Sequence, residues 1–394
     1  MTAAYTSKGN TSGLVLHLAF ELGWSQWKLA FTIGAGQKPR QRTIRARDLA
    51  ALEVEIAKAK KRFQLDADAP VVSCYEAGRD GFWLHRYLTA RGVSNVIVDS
   101  ASIEVKRRRR RVKSDRLDAD KLVTMLVRYQ GGERKVWSTV CVPSVTEEDQ
   151  RQLHRELQEL KDDRTRHTNR IKGLLASQGL ALEGVDENLP AWLPTARLWD
   201  GTALGADLQH RLVREWQRWH FVHGQVLELS RERSRRLRCD ATPQVDKVRQ
   251  LLGLAGIGVN GAWLLVYEFF GWRKLLNRKQ AGALVGLTGT PYHSGSSEHE
   301  QGISKAGSRR MRKMLVELAW CWLRWQPESA LSLWYAQRFA SGKGPARKIG
   351  VVAVARKLLI ACWRYLERGE IPAGAKLVDW RSKIKSSKAW KPAA

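Results

Sequence analysis

Short apolar segments of strand length alternate with helical segments through the first 130 residues. The predicted elements, in chain order, are strands at 13–23, 26–34 and 40–46, a helix at 48–65, a strand at 70–78, a helix at 80–92, a strand at 94–100 and a helix at 114–129. Strands that alternate with helices pair in parallel, whereas the short turn after the first strand predicts an antiparallel hairpin. The pattern therefore predicts a mixed α/β sheet flanked by helices, the ribonuclease-H-like arrangement.

Two long helical segments follow the predicted sheet. Apolar residues recur with heptad spacing from Leu153 to Leu174, and a second apolar seam runs from Leu212 to Leu237. Heptad seams favour packing between paired helices, so these segments predict an α-helical coiled-coil stalk or dimer arm. Glycines then separate two apolar helical segments within 251–265. That turn fits either a helix-hairpin-helix element, which presents backbone N–H groups to phosphates, or a simple helix corner.

These patterns predict four regions. An α/β domain covers 14–145, the coiled-coil insert covers 146–245, a mainly α C-terminal domain covers 246–370, and a basic tail covers 371–394. At 394 residues the chain is long enough to give more than one domain its own core.

The charge balance predicts a polyanionic partner. Lys and Arg number 68 against 39 Asp and Glu, which leaves a net charge of +29. A membrane surface is disfavoured, because the longest apolar run, 251–267, is interrupted by Asn260 and several glycines. No secretory signal is expected at the N-terminus, and five scattered cysteines fit neither a disulfide framework nor a zinc site. The composition therefore predicts a protein of the reducing cytoplasm with a nucleic-acid partner.

Four carboxylates are candidate metal ligands. Asp115 and Asp118 lie three residues apart at a helix start, where the helix dipole alone would also favour acids. Glu76 ends one predicted strand and Glu21 interrupts the first, and these two strands are expected to lie side by side. Four acids packed together would repel one another unless cations neutralise them. Hard oxygen ligands favour Mg²⁺ or Mn²⁺, two of which can clamp the oxygens of a phosphodiester.

A basic run precedes the two aspartates. It would position a nucleic-acid backbone beside the metal ions, or it would be no more than a solvated or RNA-binding loop. Its cationic residues are Lys106, Arg107, Arg108, Arg109, Arg110, Arg111 and Lys113.

Ser294 is a candidate nucleophile. The glycine that follows it lets another backbone approach closely, and four cations come shortly after: Lys305, Arg309, Arg310 and Arg312. A serine hydroxyl can attack phosphorus when a base or metal activates it and cations stabilise the charge. The alternative is that Ser294, Ser296 and Ser297 only fill a loop.

Two stretches in this order resemble a known family. The first comprises YEAG, GFWLHRYLTARG, VIVDS and RRRRRVKSDRLDADKL, and the second is GLTGTPYHSGSSEHEQGISKAGSRRMRKMLVELAW. Together they resemble the insertion-sequence transposases of the one-hundred-and-ten group, whose relatives include the pilin-gene invertases. The resemblance covers about residues 14 to 367.

The resemblance implies a RuvC-like domain with an Asp-Glu-Asp-Asp tetrad, a coiled coil, and a transposase domain with a nucleophilic serine. By motif the tetrad falls on Glu21, Glu76, Asp115 and Asp118, and the serine on Ser294. Glu21 stands where the family has aspartate, and Asp120 and Asp99 are alternatives. The resemblance also implies a structured non-coding RNA that pairs with donor and target DNA. It implies a dimer or tetramer in which the acids of one subunit work with the serine of another.

The sequence therefore predicts a metal-dependent DNA transposase or recombinase that acts through Ser294. One alternative keeps the acids and drops the serine, giving a RuvC-like nuclease or junction resolvase that uses metal-activated water. The other alternative is a non-catalytic protein that holds nucleic acid on the same basic surfaces.

Overall fold

The computed structural model describes residues 14–103, 115–294, 297–339, 342 and 344–384, with the backbone alone at 101, 115–118 and 291–301. The chain divides into two compact units, Met1–Pro143 and Ser144–Ala394. The first is a mixed α/β sheet with helices and the second is mainly helical, so both predicted classes are confirmed. No helix in the described ranges combines the length and the apolar character that crossing a membrane requires.

The strands and helices of the first unit follow the predicted order. They are β1 Leu16–Leu22, β2 Gln26–Thr32, β3 Arg40–Arg45, α1 Leu49–Arg62, β4 Val71–Glu76, α2 Trp83–Ala90, β5 Ser94–Val98 and α3 Asp115–Gln130. Each predicted element is confirmed, with its ends shifted by a few residues. The Asp48 side chain caps α1, as predicted, by accepting a hydrogen bond from the Ala51 N–H.

The sheet has the strand order β3-β2-β1-β4-β5. Short turns make β1, β2 and β3 antiparallel neighbours, whereas the connections through α1 and α2 return β4 and β5 parallel to β1. Strands β1 and β4 therefore lie side by side at the centre, as predicted. Their register pairs Phe20 with Tyr75.

Each face of the sheet has its own apolar core, because side chains alternate along a strand. Phe20, Trp27 and Tyr75 pack on one face with residues of α1 and α2. The other face is built from small residues, including Ala19 and Cys74, and α3 packs against it through a buried apolar stripe. Small side chains let the helix approach the sheet closely, which places α3 over β1 and its two neighbours, β2 and β4.

The second unit contains twelve helices and strands in its described part. They are α4 Val145–Asp149, α5 Gln152–Ala176, α6 Leu189–Trp192, α7 Ala206–Cys239, α8 Pro243–Leu252, α9 Val259–Leu265, α10 Arg278–Leu284, β6 Gly289–Ser294, β7 Ser297–Ile303, α11 Arg309–Trp325, α12 Ala330–Phe339 and α13 Gly344–Arg368. A π-helical turn, Val266–Phe270, continues α9. Helices α4, α6, α10 and α12 and the hairpin of β6 and β7 had no counterpart in the sequence prediction.

Helices α5 and α7 carry the two predicted apolar seams and pack against each other. Arg164 contacts His223, and six residues later Arg170 contacts Glu215, so the helices run antiparallel. The Leu157 side chain of α5 and the Leu212 side chain of α7 are buried. The predicted seams therefore face inward in the described helix pair, and a coiled coil stays a prediction.

A buried carboxylate lies between these helices. The Glu215 side chain is 4% exposed, and its oxygens lie 2.6 Å from His167 Nδ1, 2.8 Å from Arg170 Nη1 and 2.9 Å from Arg218 Nη1. Burial would raise the pKa of Glu215, but the His167 hydrogen bond and the Arg170 charge outweigh it, and the pKa is lowered from 4.5. The carboxylate therefore joins α5 to α7 while it is ionised.

Glu215→Gln is expected to lower the free energy of unfolding by about 2 kcal/mol at pH 7, because charge-assisted hydrogen bonds are lost. The folded pKa lies below the unfolded one, so this stabilisation is complete above about pH 4.5 and is lost as the pH falls through the folded value. Urea unfolding of both proteins should show the gap narrowing below pH 4.5. The exposed Glu228 of α7 supplies a control, since Glu228→Gln should change little at either pH.

The turn between α8 and α9 is packed against the C-terminal segment. A Cβ on Gly256, whose φ is 83°, would lie 3.1 Å from the Cys321 carbonyl oxygen. The Ala255 N–H donates to the Lys376 carbonyl, and Lys383 Nζ donates to two carbonyls of the turn. The first part of the predicted basic tail therefore holds this turn in place.

Candidate active site

Strands β1 and β4 each end near a glutamate. Phe20 and Tyr75 are in register, so Glu21 and Glu76 follow them at the same height. The rings of Phe20 and Tyr75 meet on one face with centroids 6.5 Å apart. Since side chains alternate, Glu21 and Glu76 lie on the opposite face, which α3 covers. The structure thus brings these two candidate ligands together at the carboxyl edge of the sheet.

A cavity of about 280 Å³ opens at this edge, with Glu21, Glu76 and Asp80 in its lining. The Asp80 side chain is 6% exposed and forms ion pairs with Arg47 at 3.4 Å and Arg79 at 3.7 Å. Asp80 is therefore neutralised by guanidinium groups. Among the described side chains no three His, Cys, Asp or Glu residues are grouped closely enough to hold a metal ion.

Helix α3 contacts β4 two residues before Glu76. Cys74 Sγ contacts the Leu122 carbonyl oxygen at 3.8 Å. Cys74 precedes Glu76 by two residues, about 7 Å along the strand, and Asp118 precedes Leu122 by one helical turn, about 5–6 Å along the axis. Burial, with a contribution from Glu76, raises the pKa of the Cys74 thiol, which keeps it protonated. The start of α3, which contains Asp118, therefore lies one helical turn before a contact with the strand that carries Glu76.

The structure describes the remaining predicted acids to different extents. Asp115 and Asp118 are described in backbone only, so their side chains lie outside the described set. Of the alternative ligands, Asp120 has a buried Oδ1 with no hydrogen-bond partner among the described residues. The Asp99 N–H donates to the Ser138 carbonyl, which ties this residue to the segment after α3. Convergence of all four acids of the tetrad stays a prediction.

An exposed aromatic side chain lies at the same sheet edge. Trp24, in the turn between β1 and β2, is 67% exposed. The Arg47 and Arg79 guanidinium carbons lie 5.0 Å and 4.7 Å from its ring centroid. Sequence reasoning did not identify these three residues, and the available signal was a lone tryptophan in a turn beside a candidate acid. Cations and an aromatic ring thus flank the carboxylates, a combination suited to nucleic acid.

The four cations that follow Ser294 in the sequence divide into two pairs. Lys305 and Arg309 are exposed. Arg310 lies 3.7 Å from Glu268, and Arg312 donates hydrogen bonds to carbonyls of its own unit, including that of Ala306 at 2.9 Å. Lys305 and Arg309 are therefore the members of the set that present charge to solvent, while Arg312 braces the base of the hairpin.

Ser294 is the last residue of β6, and its backbone pairs with Ser297 at the start of β7. Its side chain lies outside the described set, as does the whole basic run: Lys106, Arg107, Arg108, Arg109, Arg110, Arg111 and Lys113. At the other end of the hairpin, Gly286 has a φ of 65°, and a Cβ there would overlap the Ala306 backbone. The candidate nucleophile therefore lies at the tip of a two-stranded hairpin whose base is closely packed.

Comparisons with known proteins agree on one family. Residues 248–333 match the family described as "Transposase IS116/IS110/IS902 family", and this segment contains the hairpin of β6 and β7. The chain is 39% identical over 372 residues to a Sinorhizobium fredii protein named transposase y4rJ, covering 91% of this chain and 94% of that protein. It is 28% identical over 167 residues to the transposase for insertion sequence element IS1328 of Yersinia enterocolitica, which covers 42% of this chain and 48% of that protein.

Proposed function

The chain belongs to the IS116/IS110/IS902 family of insertion-sequence transposases, and we propose that it cuts and joins DNA through Ser294 beside metal-binding carboxylates. The observation that carries this proposal is the adjacency of Glu21 and Glu76 on parallel strands, on the face that α3 covers. The strand order β3-β2-β1-β4-β5 supports assigning the first unit to the ribonuclease-H-like, RuvC-like class.

The donor set at the sheet edge fits a hard divalent cation. The carboxylates of Glu21 and Glu76 line one cavity, which Asp80, paired with Arg47 and Arg79, also lines. Glu21, Glu76, Asp115 and Asp118 would hold Mg²⁺ or Mn²⁺, with oxygen ligands from four side chains. Such ions, when bound, stabilise negative charge on phosphodiester oxygens. Glutamate at 21 keeps the carboxylate that the family's aspartate provides, one methylene further out.

Ser294 acts as the nucleophile in this proposal. Its Oγ forms a bond to phosphorus, the bond from phosphorus to the leaving oxygen of the strand breaks, and that oxygen takes up a proton. The product is DNA linked to the protein through a phosphoserine, together with a free hydroxyl end. Lys305 and Arg309 are exposed beyond the hairpin and would balance charge on the phosphate. A later attack by a hydroxyl end releases the serine and joins the strands.

Two partners belong to the proposal besides donor and target DNA. A structured non-coding RNA would guide the DNA choice, and the +29 net charge supports binding to a second polyanion. A homo-oligomer would let the acids of one subunit work with Ser294 of another. The localisation that follows is the bacterial cytoplasm, at the nucleoid.

The same acidic edge would also serve a nuclease that uses water, so the product must be examined. DNA products are run on a denaturing gel with and without protease treatment. Strands that shift only after protease treatment support the serine mechanism. Free nicked strands would point to the nuclease, and intact DNA under all metal conditions would leave only a binding protein.

A further inference from the structure

A cationic cavity of the second unit lies at the base of the hairpin of β6 and β7. It has a volume of about 770 Å³ and is bounded by α13 on one side and by the start of α10 and the hairpin base on the other. Six cations line it: Arg278, Lys279, Lys305, Lys348, Arg356 and Lys357. Among the described residues of that lining there is no Asp or Glu. We call this cavity the cationic groove.

Acids whose side chains the structure describes do not balance the charge in the cationic groove. None of the six side chains forms an ion pair with a carboxylate of the described residues. Some other cations of the same unit are paired, as Arg155 is with Glu268 at 2.6 Å. Clustered like charges repel, and a groove focuses their field, so the arrangement favours a polyanionic ligand.

The wall formed by α13 also presents apolar surface. Lys348 and Ile349 are followed at four-residue intervals by Val352, Arg356 and Ile360, which places them on one helix face. Ile349 is 64% exposed. Lys357 Nζ lies 4.4 Å from the Trp334 ring centroid. Apolar and aromatic surface between cations suits the faces of unstacked bases, which a duplex would not expose.

We propose that the cationic groove holds a single-stranded segment of the DNA on which the proposed reaction acts. A cavity of about 770 Å³ is the size of a small-ligand site. It can take a few nucleotides of one strand, whereas a duplex could only lie across its mouth. Ser294 is five residues along β6 from Gly289 of the groove lining, about 17 Å. That is about the length of five nucleotides of one strand at duplex spacing.

This proposal rests on the proposed function, because that function makes the bound strand part of the DNA substrate. The test measures only binding. Full-length protein with Lys348→Gln and Lys357→Gln, both exposed residues, is compared with wild type by fluorescence anisotropy. The probes are a 20-nucleotide single-stranded DNA, its duplex and a single-stranded RNA of the same sequence. We expect at least tenfold weaker binding of single-stranded DNA, less than threefold change for the duplex, and a salt slope shallower by about 1.4.

The matched control removes two charges from other surfaces of the same unit. Lys313 and Arg368 are 77% and 64% exposed, and the Lys313→Gln, Arg368→Gln double variant should change single-strand affinity less than twofold. Ile349→Ser should weaken single-strand binding severalfold while leaving the salt slope unchanged. Equal losses for duplex and single strand, or a loss confined to RNA, would refute the proposal. Light scattering that showed an oligomer dissociating in the groove variant would also refute the proposal, because a second copy of the chain would then occupy the groove.

The binding result can still be interpreted if the serine mechanism is wrong. If Ser294→Ala still cleaved DNA, the proposed reaction would be wrong, but the groove variant would still bind single strands weakly. If the groove variant bound normally while Ser294→Ala lost cleavage, only the groove assignment would fail.

Discussion

Ser294→Ala is expected to reduce the rate of DNA cleavage by about 10³-fold or more, while the affinity for DNA changes less than about twofold. The hydroxyl is the atom that bonds to phosphorus in the proposed reaction, so no protein-linked strand can form without it. Removing one hydroxyl at a hairpin tip removes no charge from the binding surface. The measurement is quantitative gel analysis of cleavage beside an anisotropy titration with the same DNA.

Ser297→Ala is the matched control, because Ser297 pairs with Ser294 across the hairpin. If the serines only fill the hairpin, the two variants should behave alike. If Ser294→Ala still cleaved DNA and left free ends, water would be the nucleophile. The nuclease alternative would then replace the serine mechanism. Ser294→Cys adds a further check, since a thiol at this position can retain a protein-linked product at a reduced rate.

The sheet was predictable from the sequence because its elements are short and local signals bound them. Strand β4 is an apolar segment that ends at Glu76, two residues before Gly78, and α1 follows a capping aspartate, Asp48. The adjacency of β1 and β4 followed from the order of strands and helices, since parallel strands joined by a helix lie in one sheet. The prediction that Glu21 lies beside Glu76 depended on this adjacency of β1 and β4.

The hairpin of β6 and β7 was not predictable in the same way. Its residues, GTPYHS and SEHEQGI, are rich in glycine and polar side chains, which have low strand propensity. Contacts at the hairpin base, where the Ser304 N–H donates to the Thr288 carbonyl, hold it instead. Tertiary contacts of this kind have no local sequence signal.

The cationic groove was missed for a different reason. Its cations come from α10, the segment after β7, and α13, which are up to about 80 residues apart in the chain. Within α13 the four-residue spacing of Lys348, Val352 and Arg356 predicts a mixed face, but a solvated face would look the same. Only the fold places Arg278 and Lys305 opposite that helix.

Glu76→Gln is expected to reduce metal-dependent cleavage by about 10²–10³-fold without lowering the free energy of unfolding. Glutamine keeps the shape of the side chain but removes the negative charge that a divalent cation requires. Glu76 lies beside Glu21, so in the absence of cations the two carboxylates repel each other. Neutralising one of them should therefore leave stability unchanged or raise it slightly.

Reduced cleavage with unchanged or raised stability distinguishes a metal ligand from a structural residue, whose replacement would lower both. Urea unfolding without divalent ions measures stability, cleavage with Mg²⁺ measures activity, and Mn²⁺ binding by electron paramagnetic resonance reports on the site directly. Glu53→Gln is the control, because Glu53 lies on α1 and contacts Arg91 and Tyr87 on the other face of the sheet. A Glu76→Gln protein that loses stability and activity together, with Mn²⁺ binding intact, would make Glu76 a structural residue. Loss of Mn²⁺ binding with stability retained would instead tie the activity to the carboxylate pair at the edge of β1 and β4.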